Sequence, residues 1–237
     1  MSDQLMEVFR DTVVHCQNDA RSFSNIYNPK LLKRFYCEKK WTNTTIQVVN
    51  ADVLVVAEQN KGYFPLVLNL ASSRRAGGGV EYGAMAQEEE LFRRTNYFLS
   101  LDKHFYPLPP TSVIYTDRVM VIKNAKYELL ETPFPVSMIA AAAICNPVLE
   151  NGQLSQHDTD TTYYMLECVF KSALLHGKDT LILGAIGCGA YRNPPFDIIR
   201  IFNSLIETYR GYFKKVVFAV YSRNDNNFEL FDKHIWR

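Results

Sequence analysis

The sequence predicts an α/β protein with helices on both faces of a mixed sheet, and three observations carry that expectation. Short continuous apolar runs, Leu66-Val67-Leu68 and Leu181-Ile182-Leu183 among them, read as buried strands. Between the strands lie stretches whose apolar residues recur three and four apart, the spacing of amphipathic helices. Two of the strands open directly into glycine-containing loops followed by helical patterns, which is how such a sheet exposes backbone donors at its carboxyl edge.

Composition sets the frame. A chain of 237 residues, 47% of them apolar, can bury a sizeable core as one domain with accessory elements. No long charge-free apolar span is present, and charges interrupt the first residues before a signal-peptide core forms, so an intracellular, cytoplasmic protein is expected, with no membrane association. A nuclear location is open for a eukaryotic or viral source. Cys16, Cys37, Cys145, Cys168 and Cys188 are odd in number and widely spaced, which suits free thiols in a reducing compartment better than disulfides or zinc. The net charge is +1, with basic residues scattered among acidic ones, and strong general binding to nucleic acid needs clustered positive charge.

Taken in order, residues 1–42 show two helical patterns, around Leu5 to Asn18 and around Pro29 to Tyr36, expected to pack outside the sheet. Thr44 to Val49 is β-branched and alternating, a strand. Asn50-Ala51-Asp52 ends it, and Val53 to Gln59 is a short helix or more strand. Pro65 to Leu70 is the strand that delivers the first loop. In that loop Gly77, Gly78 and Gly79 lack Cβ atoms, so another group can approach their N–H donors closely, the outline of a phosphate cradle. Gln87-Glu88-Glu89-Glu90 then begins a helical pattern through Leu91, Phe92, Thr95, Phe98 and Leu99. Acidic residues there offset the helix dipole. Glu88 also falls near the buried edge with Glu89 about 100° around, and buried carboxylates require partners or an elevated pKa.

The stretch from Leu101 to Pro135 carries Pro107, Pro109, Pro110, Pro133 and Pro135 and reads as loop, with a short strand at Val119 to Lys123. Ser137 to Ala143 is a strand ending near Cys145-Asn146-Pro147, and Asn151 to Asp160 is polar loop. His157 and Asp158 in it are too few to define a metal site. Thr161 to His176 is an amphipathic helix stopped by Gly177. Leu181-Ile182-Leu183 feeds the second loop, with Gly184, Gly187 and Gly189, and Pro194-Pro195 opens a helix carrying Phe196, Ile199, Phe202 and Leu205. Lys215 to Tyr221 is the last strand, Ser222-Arg223-Asn224-Asp225 follows it, and Phe228 to Arg237 caps the fold.

The ordered set of Leu66-Val67-Leu68-Asn69-Leu70-Ala71-Ser72, the triple glycine and Gln87-Glu88-Glu89 resembles the signature of poly(ADP-ribose) glycohydrolases, in particular the compact microbial type built on a macrodomain. The resemblance runs from about Thr44 to Ser222, and Gly187-Cys188-Gly189-Ala190-Tyr191-Arg192-Asn193-Pro194-Pro195 matches the family's second phosphate loop. It implies a macrodomain-like three-layer α/β/α sandwich, with residues 43–237 the catalytic domain and residues 1–42 an N-terminal helical extension packed on it. The implied reaction is hydrolysis of ribose-to-ribose O-glycosidic bonds, with poly(ADP-ribose) or ADP-ribosylated macromolecules as partners, ADP-ribose as product, and neither cofactor nor metal.

By the same resemblance Glu89 is the acid/base and Glu88 holds ribose hydroxyls. Adjacent helical positions point in different directions, so the two cannot flank a sugar on opposite faces, and one carboxylate must serve twice. Asn69 matches a ribose ligand, and Gln87 belongs to the substrate-binding signature. Gly77, Gly78 and Gly79, with Gly187, Cys188, Gly189 and Ala190, are expected to hold the diphosphate. Tyr191 matches an aromatic packed on the distal ribose. Asp52 matches a contact to the adenine amino group, with a helix cap as the equal alternative. The competing functions are removal of mono-ADP-ribose, non-catalytic reading of ADP-ribose, and metal-dependent nucleotide or phosphate chemistry.

Overall fold

A computed structural model describes residues 2–222 and 225–237. Arg223 and Asn224, in the segment expected to follow the last strand, therefore lie outside the described residues. The strands are β1 Ser24–Tyr27, β2 Thr45–Val49, β3 Leu66–Leu70, β4 Val113–Lys123, β5 Leu129–Ala141, β6 Leu149–Glu150, β7 Gln153–Leu154, β8 Thr180–Leu183 and β9 Lys215–Ala219. The α-helices are α1 Ser2–His15, α2 Val53–Gln59, α3 Gln87–Arg94, α4 Gln156–Leu175, α5 Pro195–Thr208 and α6 Asn227–His234.

Seven strands form one mixed sheet in the order β1-β4-β5-β3-β8-β9-β2, and β6 pairs with β7 in a small separate hairpin. Within the seven, β5, β3, β8, β9 and β2 are mutually parallel, and β4 runs against both of its neighbours. The chain has the macrodomain-like fold.

Successive side chains of the central strands feed two cores. Leu66, Leu68, Leu181, Leu183, Val216 and Phe218 pack with α4, α5 and α6 on one face. Val67, Ile182 and Val217 pack with α2 and α3 on the other. Burial on both faces is what produces unbroken apolar runs in place of alternation. Each such side chain removed from water contributes about 1.5 to 3 kcal/mol. At the tail, Phe231 of α6 closes the first core against Phe202 and Phe218.

The structure revises several local expectations. Residues 29–34 form turns, not a second helix, and Ser24–Tyr27 joins the sheet beside β4, so the N-terminal segment is not wholly outside it. The proline-rich stretch forms most of a long hairpin, because β5 enters register with β3 only at Ser137. Before that residue one edge of β5 is open, and Pro133 and Pro135 cost no hydrogen bond there. The helix after Gln87 stops at Arg94, where Thr95 turns extended and bridges Val121. Helix α4 begins at Gln156, earlier than its apolar pattern, because Ser155 accepts a hydrogen bond from Asp158 N and caps it. No helix among the described residues is long and apolar enough to cross a membrane.

Candidate functional site

Because β2, β3, β5, β8 and β9 are parallel, the residues that follow them emerge on one edge of the sheet. That edge collects Asp52, the triple-glycine loop, Cys145-Asn146 and the loop at 184–193. Helix α3 starts at the same edge and is locked to β3 by Gln87. The Gln87 side-chain oxygen accepts from Leu70 N at 2.8 Å, and its amide nitrogen donates to Leu68 O at 2.6 Å. Both polar atoms of Gln87 are therefore spent on the strand that carries Asn69.

This clamp drives the next two residues inward, leaving Glu88 2% exposed and Glu89 6% exposed. Glu88 accepts three hydrogen bonds: from Ser72 N at 2.7 Å, Gly77 N at 3.2 Å and Asn69 Nδ2 at 3.2 Å. Glu89 Oε1 accepts from Gly79 N at 2.8 Å, and its Oε2 is buried without a partner among the described residues. Asn69 is fully buried against Glu88, with its own Oδ1 unpaired among the described residues.

The triple glycine is thus used differently from the expected phosphate cradle. Gly77 N and Gly79 N bind the two carboxylates, and Gly78 N donates to Arg75 O at 3.3 Å. What the missing side chains permit is close approach of the acids. A Cβ on Gly78 would stand 2.4 Å from Glu89 Oε1, at a backbone φ of +55°.

The second loop holds the open donors. The N–H groups of Gly189, Ala190 and Tyr191 form no hydrogen bond among the described residues, and Gly189 and Ala190 are exposed. Consecutive backbone N–H groups left open in a loop can serve as donors to an anion. Asn193, a residue whose role the sequence did not reveal, braces this loop by donating to Ile144 O, Gly187 O and Tyr191 O. Asn146 N donates to Tyr191 O at 2.9 Å, tying the end of β5 to the same loop. The Cys188 thiol is pushed up to about 12 by burial and then by Asp225, which keeps it protonated and unsuited to nucleophilic attack.

The bracing predicts a contrast between two glycines. Gly187 has φ +75°, and a Cβ there would meet Ala143 Cβ and Asn193 Nδ2 at 2.6 Å each. A Cβ on Gly189 would meet nothing within 4 Å beyond its chain neighbours. Gly187→Ala is expected to lose about 1 to 3 kcal/mol of stability and Gly189→Ala less than about 0.5 kcal/mol, measured by chemical denaturation.

Asp52 caps α2. Its Oδ1 accepts from Leu54 N, Val55 N and Arg94 Nη1, so the capping alternative is realised, while Oδ2 receives no bond among the described residues. Two buried cations, also invisible as site elements in the sequence, fasten α1 to the site. Arg93 donates to Leu5 O, Glu90 and Ala84 O, and Lys123 donates to Val8 O and Thr12.

Burial raises Glu88 from the ordinary value of 4.5 to about 7, against its hydrogen bonds from Ser72, Asn69 and Gly77 and with the neighbouring Glu89 charge adding to the rise. The folded protein therefore holds a proton that the unfolded chain has released. The corresponding stability is fully present below about pH 4.5 and is lost as pH rises through about 7. Between pH 5 and 8 the unfolding free energy of the wild type is expected to fall by about 3 kcal/mol more than that of Glu88→Gln. Denaturant titrations at the two pH values check this, and parallel curves would contradict it.

The sequence model described as the microbial-type PARG catalytic domain, PARG being poly(ADP-ribose) glycohydrolase, matches residues 7–124, which include the triple glycine and all of α3. The poly(ADP-ribose) glycohydrolase of Thermomonospora curvata is 23% identical and superposes with a TM-score of 0.88 over 98% of this chain and 99% of that one. The same enzyme bound to the inhibitor ADP-HPD gives a TM-score of 0.84. The Deinococcus radiodurans glycohydrolase in complex with ADP-ribose is 26% identical, with a TM-score of 0.77 over 89% of this chain and 93% of that one. No curated protein matches the chain in sequence. With the family's sequence model lying across the carboxylate pair and its fold extending over nearly the whole chain, this protein belongs to the microbial-type poly(ADP-ribose) glycohydrolases.

Proposed function

We propose that this protein hydrolyses the ribose-to-ribose O-glycosidic bond of poly(ADP-ribose) and releases ADP-ribose. The observation that carries the reading is the state of Glu89, a buried carboxyl with one oxygen fixed by Gly79 N and the other without a partner among the described residues. A buried polar atom left unpaired is costly unless a ligand completes it.

In the proposed reaction Glu89 Oε2 gives its proton to the leaving ribose oxygen as the bond to the anomeric carbon breaks. The oxocarbenium ion is captured by water, which returns a proton to Glu89, so a single carboxyl acts first as acid and then as base. Glu88, raised by burial to about 7, is close to half ionised near neutrality, and its ionised form, held by three donors, is the one that stabilises the developing positive charge. Its fourth lone-pair site remains for a ribose hydroxyl after three backbone and amide donors are counted. Asn69 and Gln87 act through it, one by supporting Glu88 and the other by fixing α3.

The diphosphate lies on the open N–H row of Gly189, Ala190 and Tyr191, the Tyr191 ring packs on the distal ribose, and Asp52 Oδ2 takes the adenine amino group. The test is release of free ADP-ribose from polymer in the presence of a chelator, run beside mono-ADP-ribosylated protein. Release from polymer sustains the reading. Release from the mono-modified substrate alone, or binding without turnover, replaces it.

A further inference from the structure

Tyr106 is a residue that neither the motifs nor the reaction above use. It sits in the segment between Leu101 and β4, and its hydroxyl is buried with no hydrogen-bond partner among the described residues. The segment is held in place from both ends. Asp102 accepts from His104 N to cap the turn Lys103–Phe105, and Leu108 N donates to Ser73 O at 2.8 Å, joining the segment to the glycine loop. Pro107, Pro109 and Pro110 stiffen it further.

The attachment of the segment brings it to the first loop, because Ser73, which holds Leu108, directly follows Ser72, whose N–H donates to Glu88. Burial comes first in raising Tyr106 far above the ordinary phenol range, and Glu88, Tyr97 and Tyr191 follow, so Tyr106 stands within electrostatic reach of both the carboxylate of the first loop and the aromatic of the second. The group is a neutral donor at every working pH. Glu89 Oε2 and Asn69 Oδ1, also buried and unpaired among the described residues, belong to the edge of the sheet that the first loop follows. A folded protein pays for such an atom, and a hydroxyl-rich ligand reaching the Tyr106 hydroxyl would satisfy it.

We infer that Tyr106 is a substrate contact, its hydroxyl donating to an oxygen of the ribose held between Glu88 and Tyr191. The inference rests on the functional reading above and adds to it a wall of the site supplied by the segment before β4. An uncharged sugar is well served by a phenol, whose ring also excludes water from the anomeric carbon.

Tyr106→Phe separates the hydroxyl from the ring. The melting temperature of the ligand-free variant is expected to be equal to or above that of the wild type, because an unpaired buried hydroxyl is removed. ADP-ribose binding by calorimetry and kcat/KM on polymer are each expected to weaken about tenfold, the loss of one hydrogen bond to the ligand. Affinity and kcat/KM within twofold of wild type would overturn the inference, as would a lowered melting temperature with unchanged affinity, which marks a structural hydroxyl. Tyr106→Leu supplies a second check: it is expected to bind ADP-ribose no better than Tyr106→Phe, and recovery of wild-type affinity in it overturns the contact. Wild-type protein that neither binds ADP-ribose nor degrades polymer overturns the functional reading itself, a result distinct from an active wild type with an unaffected Tyr106→Phe.

Discussion

Glu89→Gln is expected to lower polymer hydrolysis by about 100- to 10,000-fold while ADP-ribose binding stays within a few-fold of wild type. The substitution keeps the shape of the side chain, and the amide oxygen can still accept from Gly79 N, the 2.8 Å bond that sets the position of the carboxyl. It removes the ability of the second oxygen to carry a proton, and nothing nearby replaces that ability. Glu88 is held by Ser72 N, Gly77 N and Asn69, pointing along a different direction from the same helix turn. The expected signature is a fall in kcat with little change in KM, the pattern of an interaction made mainly in the transition state. Single-turnover measurement of ADP-ribose release, paired with calorimetry, reads both quantities. Hydrolysis within tenfold of wild type would remove Glu89 from the chemistry.

The sequence made the strands and the carboxylate pair legible for one reason: both are dictated by local composition. Leu66-Val67-Leu68 and Leu181-Ile182-Leu183 are buried on two faces, and such short unbroken runs are what a central strand produces. The end of α3 was not legible, since Phe98 and Leu99 continue the helical spacing even though Thr95 leaves the helix to bridge Val121. That break is decided by a neighbouring strand more than twenty residues further along the chain. Proline misled in the same way, because Pro133 and Pro135 are harmful only on a strand edge that is paired, and the pairing begins at Ser137.

Within the site, residue types were legible but the directions of their hydrogen bonds were not. Three glycines in a row announce close approach, yet whether a phosphate or a carboxylate makes that approach depends on where α3 is anchored, and Gln87 sets that through β3. Tyr106 carries no periodic or motif signal at all. Its position follows from the hydrogen bond between Leu108 and Ser73, a contact between segments that are distant in sequence. Arg93 and Lys123 look like ordinary surface charges in sequence and prove to be buried at 0% and 1% exposure, because α1 folds over them and supplies carbonyl acceptors.

Gly78→Ala is expected to cost about 100-fold or more in hydrolysis without contacting the substrate. Two penalties act together. The residue sits at φ +55°, which costs an L-residue about 1 kcal/mol or more. The new methyl group would also lie 2.4 Å from Glu89 Oε1 and 3.1 Å from Glu88 Oε2. The oxygen displaced is the one bonded to Gly79 N, so relief of the collision breaks the anchor that aims Oε2. A shift of about 1 Å in a positioned acid is enough for a loss of this size. Stability is expected to fall by about 1 to 3 kcal/mol, and ADP-ribose binding less steeply than turnover, because the open donors of Gly189, Ala190 and Tyr191 lie on a separate loop. Gly189→Ala, whose added carbon would meet nothing within 4 Å beyond its chain neighbours, supplies the control for stability alone, since its N–H belongs to the diphosphate row. If Gly78→Ala retained wild-type turnover with an unchanged melting temperature, the bare backbone would not be what sets the position of the acid, and the N–H of Gly79 would have to be reassigned from positioning to passive contact.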